Sequence, residues 1–314
     1  AVRPFLREFL SDRRIVEMHP LLWRPVLEGI ILRVRPRASA AKYATIWRPG
    51  EETSRSGSPL MHYSERQGEL LQEELGESVQ VRIAMRYGQP ALRRVMGELM
   101  GAGCRRIALI PLYPQYAASS AGTVVDEAAR FILASRNQPE LRTIRSFETA
   151  PAYIEALAVA LEQHWQVHGR PDPAAGERLL LSFHSIPQAM HDAGDPYRSE
   201  CERTAQLLSR RLDLPDGLAQ LTFQSVFGPA AWIGPATIDT VGELGRAGCP
   251  RLDVICPGFV SDCLETLEEI NQLNRETFTT AGGGSFHYVP WGNDSDGAIA
   301  ALAQQARKVL SGWI

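Results

Sequence analysis

Three side chains in two distant segments have the chemistry to move protons or hold a metal. His184 lies in residues 181–187 (Leu-Ser-Phe-His-Ser-Ile-Pro), and Asp262 and Glu265 lie in residues 256–269 (Cys-Pro-Gly-Phe-Val-Ser-Asp-Cys-Leu-Glu-Thr-Leu-Glu-Glu). A neutral imidazole and two carboxylates can bind a divalent transition metal, and they can accept protons. Each segment follows an apolar run that reads as a buried strand, at 178–183 and 252–255. In open parallel sheets the ligand crevice lies outside the carboxyl ends of the strands. That rule predicts that His184, Asp262 and Glu265 meet in one cleft, although about 80 residues separate the two segments.

Each of these residues also has a plainer role open to it. His184 sits where a strand yields to a turn ended by Pro187, and a buried histidine there can bond a backbone carbonyl. Asp262 and Glu265 are three apart at an expected helix start near 263, a spacing that puts both carboxylates on nearly one face. Acids also favour a first helical turn as caps and dipole partners. Glu268 and Glu269 extend the charge along the same helix.

Several aromatic groups follow other strands. The run 224–229 (Gln-Ser-Val-Phe-Gly-Pro) carries Ser225, and Trp232 comes shortly after; a tryptophan on such a loop can stack on a flat ligand or pack at a domain interface. Tyr113 and Tyr116 follow a strand at 106–112, and Tyr87 follows one at 79–86. His164 and His168 are four apart on a helix; that spacing suits a metal pair, but the first reading is a solvated face. His62, His191 and His287 show no partner spacing.

Positioning these groups requires an alternating α/β chain. Strands are expected at 79–86, 106–112, 141–147, 178–183, 219–225, 252–256 and 286–289. Helices are expected at 90–101, 124–135, 152–168, 197–212, 236–246, 263–276 and 296–311. Strand–helix–strand spacing near thirty residues predicts parallel sheets with right-handed crossovers. The polar Pro/Gly loop at 169–177 marks a domain junction. The reading is therefore two doubly wound Rossmann-like domains with a cleft between them, residues 1–150 and 151–314. A less regular segment at about 20–60 covers the cleft, and the last helix packs back on the first domain.

With 314 residues, 44% of them hydrophobic, and a net charge of −3, the chain can bury a sizeable core and offers no nucleic-acid surface. Its apolar runs are too short to span a bilayer. Five cysteines without a C-x-x-C pair indicate free thiols and a reducing cytoplasm. The ligand spacing of a structural zinc or iron–sulfur site is missing. No signal peptide is expected, and the helical pattern at Ala1 leaves room for a strand in front of it. No phosphate loop, dinucleotide fingerprint, G-x-S-x-G elbow or H-E-x-x-H motif occurs.

Taken together, these segments resemble the ferrochelatase family, which inserts ferrous iron into a porphyrin. The resemblance spans nearly the whole chain. It rests on residues 5–12, 57–60, 85–88, 111–116, 183–187, 194–197, 224–229 and 256–269, with the His184 and Asp262–Glu265 segments the most specific. It implies a catalytic His184, a metal- or proton-handling Glu265 with Asp262 in the same network, and a porphyrin cleft lined by Trp232, Phe259 and Tyr43. Arg35 or Arg33 would lie near the propionates, and Tyr113, Tyr116 and Ser225 would join the wall. It further implies His184 and Glu265 as metal ligands, protoporphyrin IX and Fe²⁺ as substrates, no permanent cofactor and no iron–sulfur cluster. The product's affinity for lipid leaves room for peripheral membrane contact. The same fold also admits a non-catalytic porphyrin or haem binder, or a chelatase for another tetrapyrrole.

Overall fold

The structure is a computed structural model and describes residues 2–50 and 57–314. The first half opens with helices: α1 (Val2–Leu10), α2 (Pro20–Val26), α3 (Leu32–Ile46) and α4 (Pro59–Leu75), with a π-helical turn at Leu27–Ile31 between α2 and α3. After α5 (Leu92–Gly101) come β1 (Arg106–Leu109), α6 (Thr123–Ala134) and β2 (Glu140–Thr143), with β1 and β2 paired in parallel. The second half runs α7 (Pro151–His168), β3 (Arg178–His184), α8 (Gln188–Asp192), α9 (Tyr197–Arg211), β4 (Ala219–Gln224), α10 (Thr237–Arg246) and β5 (Arg251–Ile255). It ends with a π-helix (Glu265–Asn274), α11 (Arg275–Thr280), β6 (Ser285–Val289) and α12 (Asp296–Leu310).

Four strands form the second sheet in the order β4-β3-β5-β6, all parallel. Their apolar runs are buried on both faces, as a strand covered by helices on both sides requires. Leu179, Leu181, Phe183 and Ile255 face α7, α9 and α12, while Leu180, Leu252 and Val254 face α10 and α11. The α/β class and parallel sheets agree with the expectation. α12 packs on α7 and α4.

Three expectations need correction. Residues 79–86 form no strand: the segment pairs only at the Met85–Ala91 bridge and is otherwise held by side chains, such as Gln72 Oε1 accepting from Val81 N at 2.9 Å. Its alternating pattern fits a strand, but a ladder needs a partner that a pattern cannot specify. The strand expected at 141–147 stops at Thr143, where pairing with β1 ends. The segment at about 20–60 is mostly helical over its described residues rather than irregular, with Pro20 and Pro59 opening α2 and α4 at positions where a missing N–H costs nothing.

The second half is fastened to α4 close to the acidic segment. Gln67 is 3% exposed, and its Nε2 donates to Val260 O (3.0 Å) and Asn293 O (2.7 Å), while its Oε1 accepts from Ser261 Oγ (3.2 Å). Gly292 lets the loop after β6 close on the same place, since a Cβ there would overlap Val260 O.

Candidate active site

β3 places His184 at its last position, in register with Gln224 at the end of β4. His184 Nδ1 lies 2.5 Å from Ser185 O. A carbonyl only accepts, so Nδ1 carries the proton, and in the neutral ring the free lone pair is on Nε2. Phe259 lies beside the ring, with centroids 6.5 Å apart.

The acidic segment folds differently from the expected helix at 263. Asp262 is outside any helix, and residues 265–274 wind as a π-helix. Glu265 shares a face with Glu269, four residues on, while Asp262 lies outside the winding. Gln224 Nε2 donates to Glu265 O at 2.8 Å, which ties the start of this helix to β4 beside His184. Ser225 N and Oγ each donate to Glu269 at 2.6 Å. Burial, eased by the Ser225 bonds and the nearby His184, raises the Glu269 pKa; the Glu265 charge raises it further. His184, Glu265 and Glu269 thus share one electrostatic neighbourhood. In the sequence Glu269 reads as one more charge on a helix; its spacing of four from Glu265 is the signal that puts the two on one face.

Asp262 is 8% exposed and fully engaged. Its Oδ1 accepts from Thr266 Oγ1 (2.7 Å) and Tyr288 OH (2.6 Å), and its Oδ2 accepts from Asn293 Nδ2 (2.8 Å). Asn293 Oδ1 in turn accepts from Asp262 N at 2.7 Å. This closed network anchors the entry to the π-helix.

Tyr43 on α3 reaches the same acids: burial, then the Glu265 charge, pushes its hydroxyl up to about 12. Next to it, Lys42 Nζ pairs with Glu268 at 2.8 Å. Tyr113 leaves 39% of its surface exposed, and desolvation, then the Glu265 charge, raises its pKa. Trp232 is bridged to Pro187, donates Nε1 to Phe227 O at 2.9 Å and stacks obliquely on Phe227 at 4.8 Å. Arg35 lies 4.9 Å above the Phe227 ring, which joins α3 to this wall. Phe227 is 49% exposed, a large apolar surface the sequence offered only as part of a loop. Tyr116 packs elsewhere, under Arg145 (4.3 Å) and against Gly122.

A cavity of about 1000 Å³ lies beside α1 and α6, lined by Glu8, Asp12, Arg14, Arg86 and Asp126. Its charged lining suits a polar occupant, not a flat apolar ring. The imidazole, carboxylates and aromatic wall around His184 are the better match to the chemistry.

One histidine reading holds only in part. His168 is exposed, but His164 is half-buried, and with His287 the two form a group of three rings, 4.5–5.1 Å between centroids, against buried Asp253. β5–β6 pairing brings Asp253 opposite His287, a contact no sequence spacing reveals.

The fold is that of solved chelatases. The solved structure of SirB from Bacillus subtilis with Fe³⁺ matches with a TM-score of 0.57 at 15% identity, over 80% of this chain and 91% of that one. The sirohydrochlorin chelatase SirB from the same species, in complex with cobalt, matches at 0.56 and 13% identity, over 84% and 93%. These likenesses establish the fold. The family model described as ferrochelatase matches residues 1–310. The ferrochelatases of Aromatoleum aromaticum and Dechloromonas aromatica are 49% and 48% identical, each over 100% of this chain and 84% of theirs. That of Methylobacillus flagellatus is 45% identical, over 100% and 89%. The chain belongs to the ferrochelatase family, the lyases that insert ferrous iron into a porphyrin to make haem.

Proposed function

We propose that this chain inserts Fe²⁺ into protoporphyrin IX, with His184 as the base that removes pyrrole protons. The observation that carries this reading is the His184 Nδ1–Ser185 O contact at 2.5 Å, which leaves Nε2 as the acceptor. Two pyrrole protons must leave before the ring nitrogens can bind a metal, and a positioned base contributes about 10²–10⁴-fold to such a step. Glu265 is the partner acid that accepts protons or receives the incoming Fe²⁺, and mixed nitrogen–oxygen ligation suits this ion. Glu269, with its raised pKa, gives or takes a proton nearer neutral pH than an ordinary carboxylate does. Asp262 aims Glu265 by holding the start of the π-helix. Trp232, Phe227, Phe259, Tyr43 and Tyr113 grip the macrocycle, and Arg35 faces a propionate. Ring deformation on this wall is supplied by remote binding contacts.

Exposed Leu21 (77%), Leu22 (67%), Ile30 (58%) and Val34 (68%) stand among Arg24, Arg33 and Arg37 on α2–α3. An apolar lip rimmed by cations supports peripheral contact with an anionic bilayer. No helix among the described residues is long and apolar enough to cross a membrane.

The test is His184→Ala. Fe²⁺ insertion, read as the change in visible porphyrin absorbance, should fall by about 100-fold or more, while quenching of porphyrin fluorescence shows binding retained. Normal turnover in this variant removes His184 from the mechanism.

A further inference from the structure

A second group of metal-capable side chains lies away from His184. Ligand atoms of His164 on α7, Asp253 on β5 and His287 on β6 all fall within 4.8 Å of one another. Asp253 aligns with Leu179 in the neighbouring strand. Leu179 precedes His184 by five residues, so this group sits on the order of 16 Å down the sheet from the catalytic imidazole, at about 3.3 Å per residue.

We propose that His164, His287 and Asp253 form a separate site for a divalent ion of the zinc or cobalt type. Two imidazoles and one carboxylate suit such ions and leave a fourth position open to water. His287 Nδ1 lies 3.0 Å from Asp253 Oδ1. His164 Nε2 is 3.4 Å from the same oxygen but outside hydrogen-bonding geometry, and it is a buried nitrogen without a hydrogen-bond partner. A buried polar atom in that condition calls for an explanation, and an ion bound between these three groups supplies one.

The carboxylate is braced from outside the group: the bonds to Asp253 from Arg251 and Trp165 are the outer support that metal-binding carboxylates need. Arg251 donates Nε to Oδ1 at 3.0 Å and Nη2 to Oδ2 at 2.7 Å, and Trp165 Nε1 donates to Oδ2 at 2.9 Å. Arg251 is itself fixed by Nη1 bonds to His168 O (2.8 Å) and Gly169 O (2.7 Å) at the end of α7. An ion at this position would pin that end of α7 to β5 and β6. His168 lies at the exposed rim of the site and is not one of the three ligands.

Co²⁺ titration of the H184A/E265Q chain tests the proposal, because this background removes the ligands assigned to chelation. One equivalent should bind with visible d–d absorption. The absorption should vanish when His164→Ala or His287→Gln is added and persist when His168→Ala is added. Absence of a bound equivalent, or binding that survives His164→Ala, overturns the site. As a check that needs no substitution, Zn²⁺ soaked into crystals of the unaltered chain should give an anomalous peak between the three side chains; no peak there overturns it equally. Neither result bears on the role of His184.

Discussion

Ser225 holds both carboxylate oxygens of Glu269, its N–H on Oε1 and its hydroxyl on Oε2, each at 2.6 Å. It does so at φ 66°, in the left-handed region that glycine favours. Ser225→Gly keeps the backbone shape and the N–H but deletes the hydroxyl. One hydrogen bond to a charged group is worth about 1.5–3 kcal/mol. Turnover should therefore fall by about tenfold to a hundredfold, and the urea midpoint should drop too, by less than the bond's full worth because glycine relieves the left-handed backbone. Glu269→Gln should lower turnover at least as far, and adding Ser225→Gly to it should cost little more, because the two act as one unit. Additive losses would separate them.

The raised pKa of Glu269 gives a pH signature. Its folded pKa exceeds the unfolded one, so its contribution to stability is fully present below the ordinary glutamate range. That contribution is lost as pH rises through the folded value. Glu269→Gln removes the titration. The thermal stability of the variant relative to the parent should rise with pH above the ordinary glutamate range, and the acidic limb of the parent's pH–rate profile should lie above it too. Melting curves of both proteins at acid and neutral pH decide the first point; a pH-independent difference counts against a raised Glu269.

Asp262 should act on the fold before it acts on the reaction. Asp262→Asn sets an amide against Asn293 Nδ2, which now donates to Oδ2. A donor left unmatched in this buried place costs about 1–3 kcal/mol. Tyr288→Phe deletes one donor to the same carboxylate and should cost about as much or less. Denaturant midpoints should drop in both. In Tyr288→Phe the turnover per folded molecule should stay within severalfold of the parent, and a collapse of turnover there would make the network part of the chemistry.

Gly292→Ala tests how tightly the loop after β6 closes on the acidic segment. With no room for a Cβ beside Val260 O, the loop must shift and drag Asn293 off Asp262. Overpacking of this kind typically costs about 1–3 kcal/mol. Unchanged stability would mean that the loop yields freely.

The parts of this architecture that follow from side-chain periodicity were legible in the chain. The run Leu179–Leu181 with Phe183 reads as a strand because its apolar side chains must be covered on both faces, and it is one. The alternation around residue 81 reads equally well, yet a ladder depends on a neighbour chosen by tertiary packing. Winding was out of reach as well. Nothing in Glu265–Asn274 announces i→i+5 bonding or a helix that begins after Asp262, so Asp262 reads as a first-turn acid beside Glu265, although the spacing of four already puts Glu265 and Glu269 on one face. His287 and Asp253 meet through strand register alone. The ferrochelatase resemblance supplied the activity and singled out His184 as a candidate; it did not supply Ser225's hold on Glu269 or the histidine group under α7.

The buried amide of Gln67 has a consequence for how a large flat substrate gets in and out. It spans three backbone or hydroxyl partners between α4 and the loops at 260 and 293. Swinging the two halves apart here would break all three bonds at once, whereas Arg35 over Phe227 and Lys42 on Glu268, which help tie α3 to the second half, are contacts that water and salt can replace, so loosening α3 costs less than parting the halves at α4.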